Sequence, residues 1–412
     1  MSMIRGACPS IDRPMETGDG LLTRLTPVSG CFTPAELSKI AMAASECGNG
    51  VLEVSTRGNL QVRGLSASTL PTFMTRIDEA RLKLNRNVPV VVNPLAGFVS
   101  DEIKDPRDMQ ARLRAALQET DLFERLSPKT SIIVDSGSAF NLSRLIGDIR
   151  LKAVCDEKRT GWHIYTGRTE ARSKLFGKAD NDELAVATVM ELLTRIATHG
   201  KSARGRDLEI VDFTDLTSSF ETPIAPSSPH VKSQIPVGVF ALKSGAFAVG
   251  LALAYGTTNS ESILLLARDA ESAGAKKIEP AQAKTILVSE MDETAAQEFQ
   301  ESVAAHGYIC DPHDPRLKII TCAGTPACKS GFIKTHDLAN EIVAEYAADL
   351  KGDICVHISA CEKRCAQPGR PAIEILGGEA GATISGEEVG EVRVAGEEIL
   401  PAIRQMIKKR NI

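Results

Sequence analysis

Strict alternation of polar and apolar positions marks the segment from Glu53 to Arg63. Glu53, Ser55, Arg57, Asn59, Gln61 and Arg63 hold the odd positions, with Val54, Thr56, Gly58, Leu60 and Val62 between them. A period of two predicts a β-strand that shows all the odd residues on one face. Elsewhere the pattern turns helical, twice in the same way. TPAELSKIAMAASECGNG (Thr33 to Gly50) lies over TTNSESILLLARDAESAG (Thr257 to Gly274) without a gap, at an offset of 224 positions. Each predicts a helix, opened by Thr33 or Thr257 as N-cap and closed at glycine. An apolar strand precedes each helix, GLLTRL from Gly20 and AFAVGLAL from Ala246, and a second strand region follows.

A looser pairing continues the first. VPVVVNPLAG, a helix through Asp108 to Arg125 and TSIIVDSG match LKIITCAGTPAC, a helix through Thr335 to Leu350 and DICVHISACEKRC. Between the halves, the segment from Thr217 to Pro236 is rich in Pro and Ser and reads as a linker. The expected architecture is two similar halves of mixed strands and helices, although any two α/β segments can align this loosely.

Composition narrows the function. The chain has 412 residues, 43% of them hydrophobic and 25% charged, which suits several domains with proper cores. A net charge of −5 with both signs scattered gives no basic field for a phosphate backbone or an acidic membrane surface, so no nucleic acid and no membrane is expected as partner. MSMIRGACPSIDRP lacks the apolar core of a leader, and the longest apolar runs are too short to cross a bilayer. A reduced, cytoplasmic protein is expected. Ten cysteines are many for such a protein if all are idle, so some should bind a group.

Four of them form a pattern, Cys322-x5-Cys328 and Cys361-x3-Cys365, each pair following a predicted strand. Adjacent parallel strands would deliver both pairs at their carboxyl ends, where α/β sheets hold ligands. Ala323, Gly324, Ala327 and Ala366 let the backbone approach a bulky inorganic core and offer it N–H groups. An iron–sulfur cluster fits best. A structural zinc is the rival, disfavoured because neither pair has C-x2-C spacing, and four unrelated thiols are the other alternative. Cys8, Cys31, Cys47, Cys155, Cys310 and Cys355 read as small buried hydrophobes. The odd face from Glu53 to Arg63 could be an ordinary solvated face. Its arginines and amides suit carboxylates and ring systems better, and the matching stretch from Lys277 to Leu287 has no arginine and only Gln282 as amide.

With those residues in view, the chain resembles the nitrite and sulfite reductase superfamily. The likeness rests on the C-x5-C and C-x3-C pairs, STRGNLQVRG, NRNVPVVVNPLAG and the duplication. It implies an α+β fold with duplicated, pseudo-two-fold-related repeats. Ferredoxin-like half-domains would span residues 1–86 and 230–310, and α/β domains 87–229 and 311–412, the last binding a 4Fe-4S cluster through Cys322, Cys328, Cys361 and Cys365. Arg24, Arg57 and Arg86 fall where the superfamily places cations around a tetrapyrrole, with Gln61 completing the pattern. Asn59 and Arg63 extend that set. Lys129 keeps one of two lysines that reductases carry, and Ser131 replaces the other.

That departure, with SACEKRCAQPGRPA and TCAGTPACKSGFIKTHDLA, resembles the precorrin-3B synthase family rather than sirohaem reductases. The resemblance implies an O2-dependent monooxygenase of aerobic cobalamin synthesis that acts on metal-free precorrin-3A. It also implies a mononuclear non-haem iron and NADH as ultimate electron source. None of the seven histidines has the H-x-D/E spacing of an iron-binding triad, and His313, His336 and His357 are the candidates, each also readable as a loop or capping residue. Without G-x-G-x-x-G after a strand, NADH is expected to be oxidised by a separate electron-donor reductase. A sirohaem-dependent nitrite or sulfite reductase is the alternative reading, and a non-catalytic electron carrier a third.

Overall fold

A computed structural model describes residues 9–156, 159–209, 233–352, 354–367, 372–386 and 390–410. Cys8 and most of the expected linker lie outside them. The first segment runs β1 (Met15–Thr17), β2 (Gly20–Leu25), α1 (Pro34–Cys47), β3 (Val51–Val54), β4 (Leu60–Leu65) and α2 (Leu70–Glu79). The second runs β5 (Val90–Val92), α3 (Arg107–Gln118), α4 (Leu122–Arg125), β6 (Ile132–Asp135), β7 (Ile149–Asp156), β8 (Arg159–Thr166), β9 (Lys174–Ala179) and α5 (Asp182–Thr198). The third comprises β10 (Gly238–Ala241), β11 (Phe247–Ala252), β12 (Thr257–Asn259), α6 (Ser260–Ser272), β13 (Lys277–Ala281), β14 (Thr285–Met291) and α7 (Glu293–Ala305). The fourth comprises β15 (Ile319–Thr321), α8 (Thr335–Tyr346), β16 (Val356–Ser359), β17 (Ile373–Gly378), β18 (Gly381–Gly386), β19 (Gly390–Val394) and α9 (Ile399–Arg410).

The repeat is plain in the sheets. Orders β5-β6-β7-β8-β9 and β15-β16-β17-β18-β19 have the same pairing, two parallel ladders followed by two antiparallel ones. The first and third segments repeat a strand, helix, hairpin, helix order, in sheets β1-β2-β4-β3-β12 and β10-β11-β14-β13. The fold is the expected duplicated α+β arrangement.

The described residues separate into two compact units, one drawn from positions between 85 and 236 with 241–246, the other from 9–84, 237–240 and the described positions from 247 onward. In the second, both ferredoxin-like segments share one core. Leu37 and Ile40 of α1 pack in the same cluster as Ile263 and Leu266 of α6. Neither half-sheet covers its own apolar face alone, which explains why the two segments do not separate.

Local chemistry sets the element ends. Glu36 donates its backbone N–H to Thr33 Oγ1 (3.2 Å), and its carboxylate accepts the Thr33 N–H (2.7 Å), a reciprocal cap at the start of α1. The second helix starts differently from expectation. Asn259, not Thr257, caps α6 by accepting the Ser262 N–H (2.8 Å), while Thr257 pairs with Glu53 in strand β12. The expected helix from Asp108 to Arg125 breaks into α3 and α4.

The segment from Glu53 to Arg63 is a hairpin rather than one strand. Ser55 donates its N–H to the Asn59 carbonyl (2.9 Å) and Gly58 its N–H to the Ser55 carbonyl (2.9 Å), with Gly58 at φ +71°. A side chain there would meet Pro280 O and Ala281 C at 2.8 Å, so the turn needs glycine. The expected face survives the turn, because Glu53 lies opposite Gln61 and Arg24 opposite Gln61 in the antiparallel register. Leu52, Val54, Leu60 and Val62 point the other way and are at most 1% exposed.

Candidate functional site: a four-cysteine centre beside a polar hairpin

The parallel pairing of Thr321 with Ile358 brings the carboxyl ends of β15 and β16 side by side. Cys322 follows directly on the first and Cys361 two residues after the second. Cys328 and Cys365 are carried by the loops beyond. Burial pushes the Cys365 thiol up, and the charges of Cys322, Cys361 and Cys328 push it further, so one thiol senses the other three.

The surroundings fit an iron–sulfur cluster. Ala360 donates its N–H to Cys322 Sγ (3.2 Å), a hydrogen bond that stabilises negative charge on a thiolate ligand. Thr335 Oγ1, at the start of α8, donates to the Cys322 carbonyl (2.7 Å), and Ser359 Oγ to the Cys361 carbonyl (2.8 Å). Gly324 sits at φ +65°, where a Cβ would fall 2.4 Å from Thr335 Oγ1. Lys363 Nζ donates to Ser330 Oγ (2.7 Å), tying the two cysteine loops together. No group of three His, Cys, Asp or Glu side chains among the described residues is placed to hold a single metal ion.

The same geometry decides the mononuclear iron. His313 is exposed on a loop and its N–H bonds Asp311 Oδ1 (2.8 Å). His336 lies beside the Cys322 carbonyl, its ring 5.6 Å from that of Tyr255, and burial with the charge of Lys284 pushes it down to about 4. His357 on β16 places Nδ1 3.2 Å from Glu374 Oε1, and Arg364 Nε donates to the same carboxylate (2.9 Å). His313, His336 and His357 do not come together as a two-histidine, one-carboxylate site. Tyr255 OH, Thr321 Oγ1 and His357 Nε2 are buried without hydrogen-bond partners around the cysteine loops.

The polar hairpin lies in the same unit. Arg63, 3% exposed, donates Nη2 to Asp19 Oδ1 (2.8 Å) and Nη1 to Glu53 Oε1 (3.2 Å). Its Nη2 also reaches the Ala327 carbonyl (2.8 Å), which accepts the Gly18 N–H as well (2.9 Å). This corrects the expectation that Arg63 holds substrate, because its donors are committed to two carboxylates and the cysteine loop. Asn59 is likewise committed to the turn, accepting from Thr26 Oγ1 (2.9 Å) and donating Nδ2 to Ser55 Oγ (3.3 Å). Arg57 stands at the hairpin tip, bridged to Gln282 of the second hairpin. Arg24 keeps a buried Nε without a partner, beside Gln61 on the same face.

Arg86 and Lys129 belong to the other unit, where both are exposed, and Arg204 Nη2 donates to the Lys129 carbonyl (3.2 Å). Ser131 is 2% exposed and donates its N–H to Asp148 Oδ2 (3.0 Å). In that repeat the equivalent strand ends carry no cysteine. Asn93 Nδ2 donates to Asp135 Oδ1 (3.0 Å) and the Leu142 N–H to Asp135 Oδ2 (2.7 Å), closing the ends with their own polar groups. Of the remaining cysteines, Cys47 and Cys355 are buried as expected, Cys31 and Cys310 half-buried, and Cys155 exposed. Lys284 escaped the sequence reading, and its only signal was a lone lysine in an otherwise uncharged turn.

Known proteins resemble this chain in sequence and fold. The family model described as the nitrite/sulfite reductase ferredoxin-like half domain matches residues 13–80. The chain is similar to a precorrin-3B synthase of Sinorhizobium sp., 35% identical over 92% of this chain and 82% of that protein. It is also similar to a ferredoxin–nitrite reductase of Synechococcus elongatus, 21% identical over 97% of this chain and 87% of that one. Among solved structures, the NirA protein of Mycobacterium tuberculosis superposes with a TM-score of 0.73 at 18% identity, over 94% of this chain and 81% of that chain. No helix among the described residues is long and apolar enough to cross a membrane.

Proposed function

Because the chain belongs to the precorrin-3B synthase family, within the nitrite and sulfite reductase superfamily, we propose that it oxidises precorrin-3A to precorrin-3B. The reaction hydroxylates the macrocycle at C20 and closes a γ-lactone from the ring A acetate. One oxygen atom of O2 enters the product and the other leaves as water, which requires two electrons and two protons. NADH is the ultimate source of those electrons, through a separate donor reductase. A 4Fe-4S cluster on Cys322, Cys328, Cys361 and Cys365 supplies one-electron transfer when bound. The observation that carries the reading is the delivery of both cysteine pairs at the ends of adjacent parallel strands, in a chain 35% identical to a precorrin-3B synthase.

The protein's own residues bind and orient the substrate. Arg24 has an unpartnered buried Nε and Gln61 beside it, a fork suited to an acetate or propionate of the tetrapyrrole. Arg57, at the tip of the same hairpin, is the further cation proposed for its carboxylates.

Incubation with precorrin-3A, a reductant and isotopically labelled O2 tests the reading, and one labelled oxygen in the product is expected. A product labelled only from water would contradict a monooxygenase. Arg24→Ala should weaken precorrin-3A binding roughly tenfold to a hundredfold, the worth of about 1.5–3 kcal/mol for a charged hydrogen bond, and leave iron content unchanged. Equal affinities of variant and parent, measured by fluorescence titration, would remove Arg24 from the site.

A further inference from the structure

Lys284 sits in the turn between β13 and β14, in the half of the repeat that carries no binding arginines. The turn is costly for its sequence. Ala283 and Lys284 adopt φ of +60° and +64°, where glycine or asparagine is usual. Although the residue as a whole is half-buried, its ammonium lies fully enclosed. Nζ donates to the Tyr255 carbonyl (2.6 Å) and the Thr321 carbonyl (2.8 Å). Thr321 immediately precedes Cys322, so the lysine holds the strand end that presents that thiol. Tyr255 is itself bent to φ +58° to offer its carbonyl. Gly256 makes room for the stem, since a Cβ there would stand 2.6 Å from Lys284 Cδ and 2.9 Å from Val54 O.

The charges around it have one unmet demand. Burial pushes the amine down to about 8, while Glu53 and the Cys322 thiolate pull it back up. Glu53 is shared with Arg63. His336 and His357 also sense the ammonium, and it pushes both down. Its hydrogen bonds go to carbonyl oxygens rather than a carboxylate. An enclosed cation costs several kcal/mol unless an anion lies near. Four thiolates around an iron–sulfur core form such an anion, and one-electron reduction makes it more negative.

We propose that Lys284 is a positioning residue that fixes the Cys322 strand end and, as the enclosed cation beside it, raises the reduction potential of the cluster. The proposal rests on the cluster reading given above. Reduction adds one electron to the cluster and breaks no bond to the protein, so a fixed positive charge favours the reduced form directly. A neutral tie of the same shape would hold the strand end without moving the potential.

Potentiometric titration of the purified full chain, followed by electron paramagnetic resonance, separates these roles. Lys284→Met should shift the reduced-to-oxidised ratio at fixed potential at least about tenfold toward oxidised, equivalent to about 59 mV for one electron. Lys284→Arg should keep the parent value. If Lys284→Met fails to assemble, Glu53→Gln still decides, because removing the facing carboxylate should shift the ratio toward reduced. Iron-replete variants with the parent potential would overturn the tuning role. A parent protein without iron or sulfide would overturn the cluster reading itself, and the inference with it.

Discussion

Cys322→Ser is expected to strip the purified protein of its visible iron–sulfur absorption and to bring precorrin-3A turnover to background. The loss follows from how tightly the position is fixed. The Cys322 N–H donates to the Ile358 carbonyl (3.2 Å), its carbonyl accepts Thr335 Oγ1 (2.7 Å), and its sulfur accepts the Ala360 N–H (3.2 Å). Lys284 anchors the preceding residue. A serine oxygen is a harder ligand on a shorter bond, and with the backbone held on both sides it cannot move to compensate. Far-ultraviolet circular dichroism should stay at the parent value, because β15 and β16 pair through backbone groups. Cys365→Ser should lose or alter the cluster in the same way. A normal cluster spectrum in the Cys322 variant would exclude it as a ligand.

Arg63→Ala should destabilise the larger unit by about 3–5 kcal/mol, the usual cost of removing one partner of a buried charge pair. Arg63 joins three parts of the chain that are far apart in sequence: Asp19 before β2, Glu53 on β3, and Ala327 in the first cysteine loop. Without it, the Asp19 and Glu53 carboxylates lose the cation they share, and the cysteine loop loses a donor. Urea unfolding monitored by circular dichroism measures the effect, and a loss below about 1 kcal/mol would return Arg63 to the ligand set.

The same pair sets a pH dependence. Burial pushes the Asp19 carboxyl up, but hydrogen bonds from Arg63 and Thr17 and the Arg63 charge outweigh it and hold the group below its ordinary value. A depressed folded value means the contribution is complete above an unfolded pKa of about 3.9 and is lost as pH falls through the folded value. The parent should therefore lose stability in that acid window, and Arg63→Ala should lose less there, having no such contribution to give up. An equal acid loss in both proteins would show that the pair does not carry it.

Much of this was legible in the sequence, for identifiable reasons. The gapless helix pair exposed the duplication because caps and apolar stripes are local features, as the Thr33 and Glu36 cap shows. The cysteine pairs could be placed because a strand followed by a small-residue loop has few places to go in a parallel sheet. The hairpin at Gly58 was read as one strand because alternation continues unbroken across a turn that preserves parity. Its glycine was the available sign. The commitment of Arg63 was not legible, since Asp19 lies 44 residues away and nothing local links them. Lys284 was hidden for a similar reason. Its importance arises from enclosure by Tyr255, Gly256 and Thr321, which no single stretch reveals.

Iron, acid-labile sulfide and haem analysis with an absorption spectrum, on protein purified without oxygen, tests the central claim most directly. About four irons and four sulfides per chain, with no haem band, are expected of a cluster enzyme whose tetrapyrrole is a metal-free substrate. A stoichiometric sirohaem band would make this chain a nitrite or sulfite reductase, and zinc in place of iron would contradict the cluster on which the whole account stands.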